Sequence, residues 1–291
     1  MANLKAIKNR ISSVKNIKKI AGALEVVAMT RLRRMERETL TARGYFAKIR
    51  ELLFDVASNV NFVAHPFFEE KHAAKSVGVI TVFSDKGLCG NFNNSVAARF
   101  FDFTSSLEEK EAKVAVIGKK GPKYIKERKG CSILNVRASS DRAILEEALG
   151  EIAGMFVDGF LKNEINEVFL LYSKFRRHLL GEANIVRLLP FVPDKDLAPR
   201  KKASQRDYIY EPAAYEVLES LIKEYIINQI RHGILESRAA EEMSRMMAMK
   251  AASENADEII SKTGLEYNKM RQTQITMELA EVIAAADAAN A

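Results

Sequence analysis

Proline is absent before Pro66 and again after Pro212. Both chain ends therefore lack the residue that breaks helices most effectively. In the first segment apolar residues fall at Leu4, Ile7, Ile11, Val14, Ile17, Ile20, Leu24 and Val27. Steps of three and four are helical and close to a heptad seam. Leu32, Met35, Leu40, Tyr45, Ile49, Leu52, Leu53 and Val56 continue the stripe less strictly. One helix over residues 3 to 60 would be ~85 Å long at the helical rise, far beyond a usual helix. It cannot make a core alone and needs a partner helix. The other end supplies one: Leu218, Leu221, Ile222, Tyr225, Ile226, Ile230 and Ile234 lead into Met243, Met246, Met247, Ala252, Ala256, Ile259 and Ile260. Leu265, Ile275, Leu279, Val282 and Ile283 complete the run. As one helix, residues 213–288 would reach ~115 Å. Methionines at this spacing are adaptable core. The alanines at 239, 240, 248, 251 and 252 permit close helix approach. The pattern predicts a long antiparallel two-helix coiled coil made from the chain ends, with the C-terminal helix projecting past its partner.

Charge is placed unevenly. Residues 1–50 hold thirteen Lys and Arg against three acids, a net +10, whereas the whole chain carries +7. The positive balance belongs to the first helix. Such a segment suits nucleic acid, an anionic membrane surface or an acidic protein partner, or is simply a solvated face. No apolar run approaches the ~18–20 residues that span a bilayer, and no secretory signal is expected at the N-terminus. Cys89 and Cys131 match neither a disulfide framework nor a cysteine-rich zinc site. His65 and His72 have no common ligand spacing, so no metal is expected.

Between the helices the material changes. Ser76–Phe83, Lys113–Ile117, Ser132–Val136, Val168–Tyr172 and Ala183–Leu189 read as strands, with Asp207–Tyr210 as an edge strand. Phe92–Ser106 and Pro122–Arg128 read as helices, and Asp141 is placed to N-cap another that runs to Leu161. Alternating strands and helices predict a mostly parallel sheet covered on both faces. The expected organisation is an N-terminal helix over 1–62, an inserted Rossmann-like α/β domain over 75–212 and a C-terminal helix over 213–291.

The loops of that domain do not specify catalysis. Gly87–Asn91, GLCGN, follows a strand and precedes a helix, where a doubly wound sheet binds phosphate. Its spacing is GxxG, and no acid closes the second strand. Gly118-Lys119-Lys120-Gly121 lacks the Ser or Thr of a P-loop. Asp85 and Lys86 read as a local pair in a tight turn. No cofactor is expected.

Several segments together resemble one family. The opening Met1-Ala2-Asn3-Leu4-Lys5 with Ile7, Asn9, Arg10 and Ile11 is followed by Ser13–Asn16 (SVKN) and Lys18–Glu25 (KKIAGALE). Ser84–Asn94 (SDKGLCGNFNN), Tyr208–Pro212 (YIYEP) and Tyr267–Ile283 (YNKMRQTQITMELAEVI) follow. Over its full length the chain resembles the γ subunits of F-type ATP synthases, the central rotor shaft. Two departures are visible. Ala285-Ala286 stands where that family usually has Gly-Ala, which suggests a stiffer helix tip. The cysteine-bearing insertion of the chloroplast form is missing, so the resemblance is to bacterial members.

The resemblance implies a subunit that makes and breaks no bond. It implies rotation inside a ring of three α and three β subunits, coupling proton flow through a membrane ring to ATP synthesis or hydrolysis at the β sites. Arg271 and Gln272 would meet a β loop. Thr276, Glu278 and Glu281 would support it, facing Leu24 and Glu25. Tyr208, Tyr210 and Glu211 would contact the ring of c subunits and the ε subunit. It also implies peripheral attachment, through the complex alone, at the cytoplasmic face of the bacterial plasma membrane. A nucleic-acid-binding coiled-coil protein is the competing reading, against which the apolar stripe and the few interleaved aromatics argue. An α/β enzyme with helical arms is a third.

Overall fold

The computed structural model describes residues 2–59, 66–69, 71, 76–107, 110–126, 128–138, 142–176, 179–191, 211 and 214–289. Two long helices are present: α1, Ala2–Asn59, and α5, Ala214–Ala289. The chain divides into two units. One holds residues 1–29 and 245–291; the other holds residues 30–244. The division crosses both helices.

The larger unit is built on five strands. These are β1 (Ser76–Val82), β2 (Glu111–Ile117), β3 (Cys131–Arg137), β4 (Glu167–Arg176) and β5 (Leu179–Leu189). Their order is β3-β2-β1-β4-β5. The first four run parallel and β5 returns antiparallel along β4. β1 and β2 are near-continuous apolar runs because both sheet faces are covered. The side-chain period of two divides β1 between the two cores. Ile80 and Val82 face one, Val77 and Val79 the other.

On the first face lies α4 (Arg142–Leu161), which contributes Leu149, Ile152, Phe156 and Phe160. Asp141, its expected cap, lies outside the described residues, as does the expected edge strand Asp207–Tyr210. Leu53 and Val56 of α1 join this core, as do Leu218, Ile222, Ile226, Ile230 and Ile234 of α5. That last stripe repeats every four residues, one face of a helix. Gly78 is needed beneath α4, since a Cβ there would lie 2.6 Å from the Phe156 ring. The second face is covered by α2 (Phe92–Ser105) and the short α3 (Gly121–Ile125). Tyr124 of α3 stacks on Phe83, with ring centroids 5.6 Å apart.

Within this unit α1 and α5 run antiparallel. Arg31 pairs with Glu242 and Arg43 with Glu236, while Phe46 meets the His232 ring at 4.9 Å. In the smaller unit Lys18 bonds Asp257 at 2.6 Å. Among the described residues no helix is long and apolar enough to cross a membrane.

Candidate functional site

In an open α/β sheet a ligand enters where strand order reverses, outside the carboxyl ends of the strands. Here that point lies between β1 and β4. β1 stops pairing with β4 at Thr81–Leu171, yet β4 continues to Arg176. Its amides beyond Leu171 on the β1 side therefore need other acceptors. α5 provides them. The Ser173 N–H donates to Ser237 Oγ at 2.9 Å, and the Phe175 N–H donates to Glu236 Oε2 at 2.9 Å. Farther along the same helix, Ser244 Oγ donates to the Cys89 carbonyl at 2.6 Å. Small residues let the helix come this close. A Cβ on Gly181 would lie 2.6 Å from that of Ala240, and one on Gly233 would lie 2.9 Å from Leu170 Cδ2.

The turn after β1 is held from within. The Ser84 N–H donates to Asn93 Oδ1, the Asn93 amide donates to Ser84 Oγ at 2.7 Å, and Ser84 Oγ donates to the Lys86 carbonyl. Leu88 and Gly90 both have φ near +60°. Asp85, grouped with Lys86 on sequence, accepts the Lys119 amide at 3.0 Å across the turn before α3. The Ser84 and Lys119 amides and the Ser84, Asp85 and Asn93 side chains are thus engaged with the protein itself, and α5 is bonded to the end of β4 and to the Cys89 carbonyl.

Glu236 is the chemically unusual member of this set. It is 1% exposed. Its Oε1 accepts from Arg43 at 2.8 Å, and His232 Nε2 lies 3.4 Å from the same oxygen. Burial alone would raise its pKa. The bonds from His232, Arg43 and the Phe175 amide outweigh burial and hold it down to about 2. Nearby Arg238 is pushed the other way for a guanidinium, its pKa lowered by burial although Glu241, Asp85 and Glu38 oppose this. Sequence reasoning missed Arg43, Glu236, Ser237 and Ser244. A signal was present. The buried isoleucine stripe of α5 ends at Ile234, and its continuation runs into Glu236, Ser237, Ala240 and Ser244 on a helix that stays buried. Polar groups on the prolongation of a core stripe imply polar partners across it.

The smaller unit carries the residues that resemblance assigned to the β contact. Arg271, Gln272, Thr276, Glu278 and Glu281 are all exposed on α5, and Leu24 and Glu25 are half-buried on α1. Glu278 accepts from Gln274 at 2.8 Å, and the Thr276 hydroxyl donates to the Gln272 carbonyl. The expected facing of Thr276 and Leu24 does not occur. Lys18 and Asp257 are opposite each other. Because the helices run antiparallel, Thr276 lies ~28 Å from that level in one direction and Leu24 ~9 Å from it in the other, ~37 Å apart along the pair at the helical rise. Arg271 and its neighbours lie beside α5 residues exposed on nearly every side. Glu211 is exposed, whereas Tyr208 and Tyr210 lie outside the described residues.

The apolar stripe of α1 also departs from expectation. The covered side of this helix runs Leu4, Ile7, Ile11, Val14 and then Lys18, Ala21, Glu25 and Ala28. Ile17 and Ile20, 56% and 60% exposed, face outward with Val27. The reason is geometric. A step of three falls about 60° short of a full turn and a step of four overshoots by about 40°. Ile11, Val14, Ile17 and Ile20 are three successive steps of three, which turn the stripe away from a helix following the heptad. Ala21, Ala28 and Ala256 are buried instead. The result is an exposed apolar row, Ile17 and Ile20 with Val27, while exposed Lys15 and Lys19 lie on another side of α1 and line a pocket with Ser253, Asp257 and Ile260 of α5.

Comparison with known proteins bears on both sites. A family model described as ATP synthase matches residues 3–289. The ATP synthase gamma chain of Polynucleobacter asymbioticus is 36% identical over 290 residues, covering 99% of this chain and 100% of that one. That of Ralstonia nicotianae is 37% identical over 292 residues, with the same coverage. Among solved structures, the central stalk and c-ring of the Tetrahymena thermophila mitochondrial ATP synthase includes a chain with TM-score 0.59 at 20% identity, covering 80% of this chain and 99% of that one. The Euglena gracilis mitochondrial ATP synthase rotor includes one with TM-score 0.61 at 12% identity, covering 94% and 99%. The distant structures share the fold; the bacterial relatives share the sequence from end to end, and the chain belongs to the ATP synthase gamma chain family.

Proposed function

We propose that the chain is the central stalk of a bacterial F-type ATP synthase, a rotor subunit without catalytic chemistry of its own. It couples proton-driven rotation of a membrane ring to conformational change at nucleotide sites on β subunits, for ATP synthesis or hydrolysis. The observation that carries this reading is the outward apolar row on basic α1. An exposed apolar row on a helix rich in Lys and Arg calls for a covering partner with an apolar lining and acidic groups beside it. The α and β subunits of a catalytic hexamer are that partner in this reading. A shaft acts by presenting a different side to each β at one moment, so that each site is biased by contacts its neighbours lack. Unequal faces are what α1 carries: isoleucines on one side, lysines on another.

In this reading Arg271 and Gln272 bind a β loop, supported by Thr276, Glu278 and Glu281. Leu24 and Glu25 meet the hexamer independently, at another level of the helices. Tyr208, Tyr210 and Glu211 contact the c-ring and the ε subunit. The subunit is peripheral, held at the cytoplasmic face of the plasma membrane through the complex.

The test is a pull-down from native membranes with a tag in the α/β domain, leaving both helix ends free. Co-purification of α, β and ε subunits with magnesium-dependent ATPase activity is expected. Arg271→Ala and Glu278→Ala are then expected to lower ATPase activity about tenfold, equivalent to ~1.4 kcal/mol of lost contact. Recovery of the chain alone overturns the proposal. Recovery with nucleic acid, bound with a steep salt dependence, favours the competing reading.

A further inference from the structure

We propose that Glu236 is a rotational lock that fixes α5 and α1 in azimuth on the α/β body, and that this lock keeps rotation of the helices coupled to rotation of the body. The inference rests on the central-stalk reading and goes beyond it. Three elements converge on this one carboxylate. It belongs to α5, it accepts the Arg43 guanidinium of α1, and it accepts the Phe175 amide of β4. Both carboxylate oxygens are used, one toward the partner helix and one toward the sheet.

Apolar packing resists separation of two elements but resists sliding or turning poorly, because it is non-directional. Hydrogen bonds are directional and weaken steeply with misalignment. The α5 stripe from Leu218 to Ile234 is wholly apolar and supplies adhesion. Directional contacts to the sheet begin where that stripe ends, at Glu236 and Ser237, followed by Ser244. Two of these bonds are to main-chain amides of β4, which are fixed within the sheet. A turn of α5 about its axis would pull Glu236 from the Phe175 amide and carry it past Arg43. It would also strand a buried charge, among the costlier outcomes in a protein interior.

The titratable and charged groups around the carboxylate are Arg43 from α1 and His232 from α5, with the Tyr172 phenol of β4 close enough to feel its charge. Arg43 brings a planar fork, using both Nε and a terminal nitrogen on the same oxygen. Lysine would retain the charge without the fork.

The experiment uses the complete ATP synthase reconstituted in vesicles, measuring ATP hydrolysis and ATP-driven proton pumping together. Glu236→Gln keeps the size but leaves one oxygen to serve two donors; Arg43→Ala removes the α1 arm. Both are expected to hydrolyse ATP at the unaltered rate while protons pumped per ATP fall at least about threefold, because the lost charged hydrogen bond no longer opposes slipping of the helices on the body. Arg43→Lys is expected to recover most of the ratio. Ile152→Val, a core change away from the lock, serves as the control for lowered stability. An unchanged ratio in Glu236→Gln and Arg43→Ala, or a fall no larger than in Ile152→Val, overturns the lock. Failure of the unaltered chain to assemble with α and β subunits would instead overturn the central-stalk reading, so the two failures are distinguishable.

Discussion

Glu236 makes a prediction about acid. Its carboxyl is held at about 2 in the folded chain against an ordinary 4.5. A depressed carboxylate pKa gives stability that is complete above the ordinary value and is lost as pH falls toward the folded one. The window is therefore pH 4.5 down to 2. At neutral pH the wild type should exceed Glu236→Gln by on the order of 3 kcal/mol, from the linkage of pKa to free energy. That margin should vanish as the pH reaches 2, a comparison made by denaturant titration across the window. Gly181 makes a second prediction. A Cβ there meets the Ala240 Cβ at 2.6 Å and Ser173 Oγ at the same distance. The serine can turn away but the alanine methyl cannot. Gly181→Ala should destabilise by about 1–3 kcal/mol, the cost of overpacking, and lower Tm by several degrees in a thermal melt.

At the scale of elements, α1 carries two stripes that coincide only as far as Val14. The structure covers alanines and polar groups and leaves isoleucines outside. Replacing Ile17 and Ile20 with serine should leave the helix content of the purified chain unchanged by circular dichroism. The same double variant should weaken association with α and β subunits by at least tenfold, since buried side chains of this size each contribute about 1.5–3 kcal/mol. Ala21→Leu should do the opposite, disturbing the helix pair through overpacking. Much of this element was legible in advance. Absence of proline and an apolar period near 3.5 were enough to place α1 and α5 within a residue or two of their ends. The inward side was not, because periodicity reports that a stripe exists and not which neighbour it meets. Three successive steps of three at Ile11–Ile20 held the missing information, once converted into degrees of rotation.

At the scale of the molecule, the strand–helix alternation made the parallel sheet readable, and the β5 run was recognisable as a strand. Its antiparallel direction was not, because a strand's apolar pattern is the same in both directions. The absence of a phosphate motif was also visible, as GxxG in place of GxGxxG. What the sequence could not display is the occupant of the crevice. The contacts that bring Ser237 to Ser173 and Ser244 to Cys89 join positions 64 and 155 residues apart. No local signal marks such pairs, and only a polar break in a buried stripe hints at them.

The outward isoleucine row has a consequence for the life of the newly made chain. Before it meets its partners, this polypeptide displays a strip of the kind that chaperones hold and proteases survey. Its lifetime in the cell then depends on the supply of whatever covers that strip. Unassembled copies would be removed while assembled ones persist, so that the number of these chains follows the number of completed complexes without any dedicated control of its synthesis.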